Sequence, residues 1–189
     1  MKKGLLVLAL IFLAVSSYGQ NSKGSLTALE GIQKFDSGDN LGAITTFNKA
    51  ISELNMKTDS ISLMLAFLFR GKAKWNLGDN RGGISDLTKS IGYANENTIG
   101  DSIEGGKDIL ATNYLLRGTL KQLLDYPFQE VIKDYDKAIK LNPTEGKYYA
   151  ARGYTKIQNG QKDSGCLDLS KGGELGLSLA YEMIKELCN

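Results

Sequence analysis

The residues that most often carry catalytic chemistry are scarce in this sequence. Its 189 residues include no histidine, only two cysteines, Cys166 and Cys188, and no Gly-x-Ser-x-Gly nucleophile motif. Histidine is the commonest general base and metal ligand, and two cysteines alone cannot complete a four-ligand zinc site. A serine or cysteine nucleophile would lack its usual base. The composition therefore predicts no catalytic residues, no metal and no cofactor.

Two short patterns still have to be weighed as sites. The stretch from Gly100 to Leu110 is the nearest match to a phosphate-binding loop, but Asp101 replaces its first glycine and Asp108 the Ser or Thr that holds magnesium. Asp134 and Asp136 are two residues apart on a predicted helix, so their carboxylates point in different directions. We interpret the first as a connecting loop and expect the protein not to be an enzyme.

The charges of the chain nearly balance, with 23 Lys and Arg against 21 Asp and Glu. The excess comes from Lys2 and Lys3, so the chain from residue 20 onward is formally neutral. A neutral chain presents no field that attracts a phosphate backbone or an anionic bilayer. We therefore expect neither nucleic acid nor stable membrane insertion.

The first 19 residues have the pattern of a secretory signal peptide. Two lysines precede an apolar run, Leu5 to Val15, and small residues stand three and one before the expected cut, at Ser17 and Gly19. The run is much shorter than the ~20 residues that span a bilayer. We expect cleavage before Gln20 and export to the periplasm or the cell exterior.

An internal repeat organises the rest of the chain. Three Arg-Gly pairs, and a fourth in which Glu replaces Arg, recur inside apolar runs, and a glycine suited to end a helix follows three of the four. The pairs are Glu30-Gly31, Arg70-Gly71, Arg117-Gly118 and Arg152-Gly153, and the closing glycines are Gly38, Gly78 and Gly160.

The order and spacing of these pairs and glycines resemble the tetratricopeptide repeat, a unit of about 34 residues that forms two antiparallel helices. The resemblance covers four units, at about 25–55, 60–94, 105–143 and 144–176, and is strongest in DYDKAIKLNP at Asp134–Pro143. Spacings of 40, 47 and 35 residues between the key glycines exceed the family period, and the second and fourth units carry Gly, Leu or Ser at the family's Ala and aromatic positions.

The resemblance implies an all-α fold over residues 20–189, a right-handed superhelical array of antiparallel helix pairs. Because each pair can bury its apolar face only against a neighbour, a terminal capping helix is expected at 177–188. The eight preceding helices are expected at 25–37, 40–54, 60–77, 80–93, 105–124, 129–140, 144–158 and 162–173, with Pro143 near the start of the seventh.

Antiparallel helices place residues that are equally far from their turn at the same level. This geometry predicts structural ion pairs between Arg70 and Asp86, Arg117 and Asp134, and Arg152 and Asp168, whereas the first unit has Glu and Thr at these positions.

The same reasoning applies to the two cysteines. The turn near Gly176 lies about midway between Cys166 and Cys188, so their sulfurs should face each other. In an exported protein this predicts a disulfide that fixes the capping helix, and the alternative is a reactive thiol.

In the tetratricopeptide-repeat family, ligands lie in a concave groove lined by the first helix of each unit, and the residues one and four after the key glycine point into it. The resemblance therefore implies a peptide-binding groove formed by Ile32, Phe35, Lys72, Trp75, Thr119, Gln122, Tyr154 and Ile157. Aromatic and aliphatic side chains with one cation suit an extended peptide that carries apolar side chains and a carboxylate. The open alternative is that Phe35 and Trp75 only pack against neighbouring helices.

The function that the resemblance implies is a non-catalytic scaffold, which binds a protein or peptide in the bacterial envelope or outside the cell. Its groove could also receive a second copy of the chain. The alternative class is a glycan or cell-wall binding module, in which Trp75 and Tyr154 would stack on sugar rings.

Overall fold

The computed structural model describes residues 22–94 and 105–188, so the predicted signal peptide and most of the predicted loop at 95–107 lie outside the described residues. Within those two ranges the chain forms nine α-helices and no strand, which confirms the all-α prediction. The helices are α1 (Lys23–Asp36), α2 (Asn40–Glu53), α3 (Ser60–Asn76), α4 (Asn80–Tyr93), α5 (Gly106–Leu123), α6 (Phe128–Leu141), α7 (Gly146–Gln158), α8 (Lys162–Glu174) and α9 (Ser178–Leu187).

The chain divides into two compact units, Met1–Gly106 and Lys107–Asn189. In the first unit α1 packs against α2, α3 packs against α4, and the two first helices, α1 and α3, also touch. In the second unit α7 packs against α8, α6 contacts α7, and α9 covers α8. Consecutive helices thus pair as the repeat predicts.

The turn inside each helix pair follows from local sequence. After α1, Gly38 adopts φ +88°, and the Asp39 N–H donates to Lys34 O at 2.9 Å, which closes the helix end. The Asp39 carboxylate then accepts from the Gly42 N–H at 2.8 Å and caps α2. The other two predicted turn glycines also have positive φ, and in the third pair Asp125 takes this role at φ +53°.

Apolar side chains between the helices form a separate core in each unit. In the first unit the largest fully buried side chains are Ile32, Phe47, Leu63, Met64 and Leu87. In the second unit they are Leu110, Leu120, Val131, Tyr135, Tyr148 and Leu169.

The helix boundaries differ from the predicted ones by two residues or fewer. One such difference is α7, which begins at Gly146, two residues later than predicted, with Pro143 three residues before it. None of the helices in the described ranges is long and apolar enough to cross a membrane.

Candidate functional site

Three of the four helix pairs hold a buried aspartate between two basic side chains. In the second pair Arg70 Nε and Nη2 donate to Asp86 Oδ2 and Oδ1 at 2.8 and 2.6 Å, and Lys74 Nζ lies 2.8 Å from Oδ2. The corresponding groups are Arg117, Lys121 and Asp134 in the third pair, and Arg152, Lys156 and Asp168 in the fourth. The structure thus brings each predicted Arg–Asp pair together.

These centres have the properties of structural contacts. Burial would raise the pKa of Asp86, which is 1% exposed, but hydrogen bonds from Arg70 and Lys74 outweigh burial and lower it. The hydrogen bond to Asp168 likewise raises the pKa of Arg152. Because these shifts hold Asp86 and Arg152 in their charged forms, neither is suited to proton transfer near neutral pH.

Sequence reasoning missed the other residues that surround these arginines. Each has an aromatic ring three residues before it, with the guanidinium carbon 5.1 to 5.7 Å from the ring centroid, and a lysine four residues after it. Arg70 Nη1 also donates to Asn48 Oδ1, and Arg152 Nη1 to Asp136 Oδ1, both at 2.6 Å and both on the preceding helix pair. The sequence contains a pattern that could have predicted the ring and the lysine, because aromatic-x-x-Arg-Gly-x-x-Lys occurs three times.

In the first unit, two predicted groove residues, Phe35 of α1 and Lys72 of α3, meet where these helices touch, and a third, Trp75, follows on α3. We call the surface formed by Phe35, Phe69, Lys72 and Trp75 the α1–α3 seam. Lys72 Nζ lies 4.9 Å from the ring centroids of both Phe35 and Phe69, whose rings meet edge to face at 5.5 Å and 68°. Phe35, Lys72 and Trp75 are half-buried.

One predicted groove residue does not belong to this surface. Ile32 is 2% exposed and packs in the core of the first unit, so its side chain cannot contact a ligand. The residue directly after the key glycine is therefore buried in the first repeat, where it is Ile32, but half-buried in the second, where it is Lys72. The prediction that Ile32 lines the groove is wrong, because that face of α1 is covered.

Three predicted groove residues of the second unit, Thr119, Gln122 and Ile157, are half-buried and contact neighbouring residues of that unit. Gln122 Oε1 accepts from the Tyr135 hydroxyl at 3.0 Å, and Thr155 Oγ1 lies 2.8 Å from the same oxygen. Burial raises the pKa of Tyr135, which keeps that hydroxyl a donor. Ile157 Cγ1 is so close to Gly165 that it would block a Cβ there. Tyr154, 38% exposed, is the predicted aromatic that projects into solvent here.

The two cysteines form a disulfide between α8 and the end of α9. The Cys166 and Cys188 Cα atoms are 5.9 Å apart. The bond closes a loop whose ends are 22 residues apart and fixes the capping helix to α8.

Nothing in the described parts of the chain resembles a metal centre. No group of three or more Cys, Asp or Glu side chains among residues 22–94 and 105–188 could hold an ion. The residues of the phosphate-loop-like stretch before Gly105 lie outside the described residues, and Asp108 lies in the first turn of α5.

Solved structures with the same fold exist, although no protein-family model and no curated protein sequence matches the chain. A MamA RS-1 double mutant is 18% identical, with a TM-score of 0.65 over 91% of this chain and 84% of that chain. Another crystal structure of MamA is 22% identical, with a TM-score of 0.58 over 80% and 82%. TTC0263, a thermophilic TPR protein of Thermus thermophilus, is 16% identical, with a TM-score of 0.52 over 81% and 74%. At these identities the likeness is one of fold, and it confirms that the chain has the tetratricopeptide-repeat fold.

Proposed function

We propose that the protein is a non-catalytic scaffold that binds a protein or peptide segment at the α1–α3 seam. The observation that carries the proposal is the contact of the half-buried Phe35 and Lys72 with the buried ring of Phe69, with the half-buried Trp75 three residues after Lys72 on α3. Aromatic side chains flanked by a cation are typical anchors of protein interfaces.

The chemistry of the described residues supports a binding role over catalysis. The buried aspartates are paired with arginine and lysine side chains in fixed centres, which suits a structural role. An array of helix pairs with a partly apolar first-helix surface suits a partner better than a small substrate.

We further propose that the scaffold acts outside the cytoplasm. The signal pattern of residues 1–19 supports export, and a disulfide that fixes the last helix suits an oxidising compartment.

A pull-down from a cell-envelope extract with the oxidised protein would test the binding function. Phe35→Ala and Trp75→Ala should each abolish recovery of a protein partner, because they remove anchors of the seam. Leu41→Ala is the matched control, since Leu41 is an apolar residue on α2 that is 69% exposed. Recovery that neither seam variant changes would contradict the seam as the site.

The same experiment separates the glycan alternative. Tyr154 offers an exposed ring in the second unit, the type of group that stacks on sugars. Recovery of glycan alone, lost in Tyr154→Ala and retained in Phe35→Ala, would favour a cell-wall binding module over the peptide scaffold.

A further inference from the structure

We propose that one face of α6 is a second docking surface, which binds an acidic helical segment of a partner protein. This surface is distinct from the α1–α3 seam, since it lies on the second helix of a pair and in the second unit. Six side chains of α6 line a trough of about 490 Å³, namely Gln129, Ile132, Lys133, Asp136, Lys137 and Lys140. We call this surface the α6 trough.

The three acidic residues of α6 are already paired with cations from the neighbouring helices. Asp134 is buried, and its Oδ2 lies 3.0 Å from Lys121 Nζ of α5. Glu130 Oε2 lies 3.8 Å from the same ammonium, and Asp136 Oδ1 accepts from Arg152 Nη1 of α7 at 2.6 Å. The negative charges of α6 are therefore balanced by α5 and α7.

The lysines of α6 line the trough. Lys133 and Lys140 are exposed, and Lys137 between them is half-buried. No carboxylate of the described residues forms an ion pair with Lys133 or Lys140. Ile132, also half-buried, adds apolar surface beside them. The trough thus presents two cations that are suited to pair with acids of a partner.

The helix repeat does not require these two lysines. When positions are counted from the buried aspartate of each pair, Lys133 corresponds to Ser85 in the second pair and to Leu167 in the fourth. Lys140 corresponds in the same way to Gly92. Because the other pairs form without lysine at these positions, both lysines are expected to serve binding and not the packing of the helices.

The spacing of the lysines selects a helix as the bound segment. Lys133 and Lys140 are two turns apart, so they lie on one face of α6 and are separated by about 10.5 Å along its axis. A partner helix packed alongside, with Asp or Glu seven residues apart, would place a carboxylate opposite each lysine. An extended segment presents same-face side chains at multiples of about 6.6 Å, which does not match this separation.

The side chains of the trough suit a protein segment better than a sugar or a nucleic acid. Nucleobases bind on aromatic faces, and no aromatic side chain is among the described residues that line the trough. Ile132 and the apolar stems of the lysines suit an aliphatic side chain. An amphipathic helix bound in a groove uses such apolar anchors. We expect the partner helix to carry Leu or Ile between its two acids.

Fluorescence anisotropy with two synthetic peptides tests the proposal. The first is an alanine-rich helix with two Glu seven residues apart and Leu between them, and the second has the same composition with its Glu on opposite faces. The wild type should bind the first about fivefold more tightly at low ionic strength, and added salt should reduce the difference. Combined Lys133→Gln and Lys140→Gln should remove the preference. Combined Lys133→Glu and Lys140→Glu should instead prefer the first peptide with Lys in place of Glu.

Combined Lys49→Gln and Lys57→Gln is the matched control. Both are exposed lysines of the first unit, so this variant loses the same net charge but keeps the α6 trough. It should retain the preference for the first peptide. Trp75→Ala should retain it as well, because Trp75 belongs to the α1–α3 seam. Circular dichroism should show that every variant keeps its helices.

Several outcomes would overturn the proposal. Equal losses in the two Lys→Gln double variants would mean that net charge, and not the trough, explains the binding. Tighter binding of an extended peptide with Glu at alternate positions would rule out a helical ligand. Equal or tighter binding of polyphosphate, or of phosphatidylglycerol vesicles, would rule out selection of a protein segment. Absence of binding to the first peptide would overturn the α6 trough and leave the α1–α3 seam to its own test.

Discussion

Gly153 in α7 and Gly165 in α8 bring the backbones of their helices into direct contact. A Cβ added to either glycine would lie 2.6 Å from the carbonyl oxygen of the other. In the third pair the key glycine, Gly118, instead faces the ring of Tyr135, 2.7 Å from the position of a Cβ. The fourth pair has Leu169 where the third has that tyrosine, so the smaller residues permit a closer approach of the helices.

This contact predicts that Gly153→Ala destabilises the protein. The added methyl group meets backbone that cannot rotate away, and overpacking of this kind costs about 1–3 kcal/mol in the free energy of unfolding. Urea denaturation followed by circular dichroism measures it. Gly92→Ala is the control, because a Cβ on Gly92 in α4 has no atom within 4 Å. That variant should gain about 0.5–1 kcal/mol from helix propensity, and equal effects of the two substitutions would contradict the packing argument.

The buried charge centres predict strong coupling between Arg70 and Asp86. Asp86→Leu leaves two cations facing each other in a buried site and should cost about 3–5 kcal/mol of unfolding free energy. Adding Arg70→Met and Lys74→Met should recover much of that loss, since no unpaired charge then remains. Glu174→Gln, at an exposed ion pair with Lys171, should cost less than about 1 kcal/mol. Simple additivity in a double-mutant cycle on Arg70 and Asp86 would show that the pair is not coupled.

Asp86 also predicts part of the acid sensitivity of the fold. Its pKa is lowered in the folded state, so its stabilising contribution is complete above the ordinary aspartate pKa and is lost as the pH falls through the lowered value. Unfolding free energies measured from neutral to strongly acidic pH should therefore decline less steeply in Asp86→Asn than in the wild type. Parallel curves for the two proteins would contradict the lowered pKa.

The disulfide predicts that reduction loosens the last helix first. Only Ala180 of α9 is fully buried, so the helix depends on Cys188 for its attachment to α8. Replacement of both cysteines by serine should lower stability by about 3 kcal/mol. Hydrogen exchange should rise in α9 more than in α3, whose side chains are largely buried. Unchanged protection of α9 would mean that its packing alone is sufficient.

The signal pattern predicts the N-terminus of the exported protein. N-terminal sequencing of the protein recovered outside the cytoplasm should begin at Gln20, and Gly19→Phe should block the cut because small residues are required before it. An intact N-terminus in the membrane fraction of the wild type would show that residues 1–19 are kept as an anchor.

The helices and their pairing could be predicted from the sequence because they depend on short-range information. Turn glycines such as Gly38 end one helix, and an aspartate such as Asp39 begins the next within a few residues. Residues at equal distances from such a turn must then meet, as Arg152 and Asp168 do. This local geometry does not depend on the irregular spacing between repeats.

The candidate binding surface could be predicted only in part, since it depends on contacts between different repeats. The position one after the key glycine is equivalent in every repeat, yet Ile32 is buried and Lys72 lies over two rings. Gln122 looked available from its position, but Tyr135 and Thr155 occupy its oxygen.

Short-range sequence patterns were sufficient to predict the paired helices, the aspartate opposite each of the three arginines, and the position of Cys166 opposite Cys188. Packing between helices instead fixes which groove positions stay accessible, that each of these aspartates is shared with a lysine, and that Lys72 lies over two rings. The reason is that helix periodicity and turns are set within about one repeat, whereas burial is set by side chains from helices that are distant in the chain.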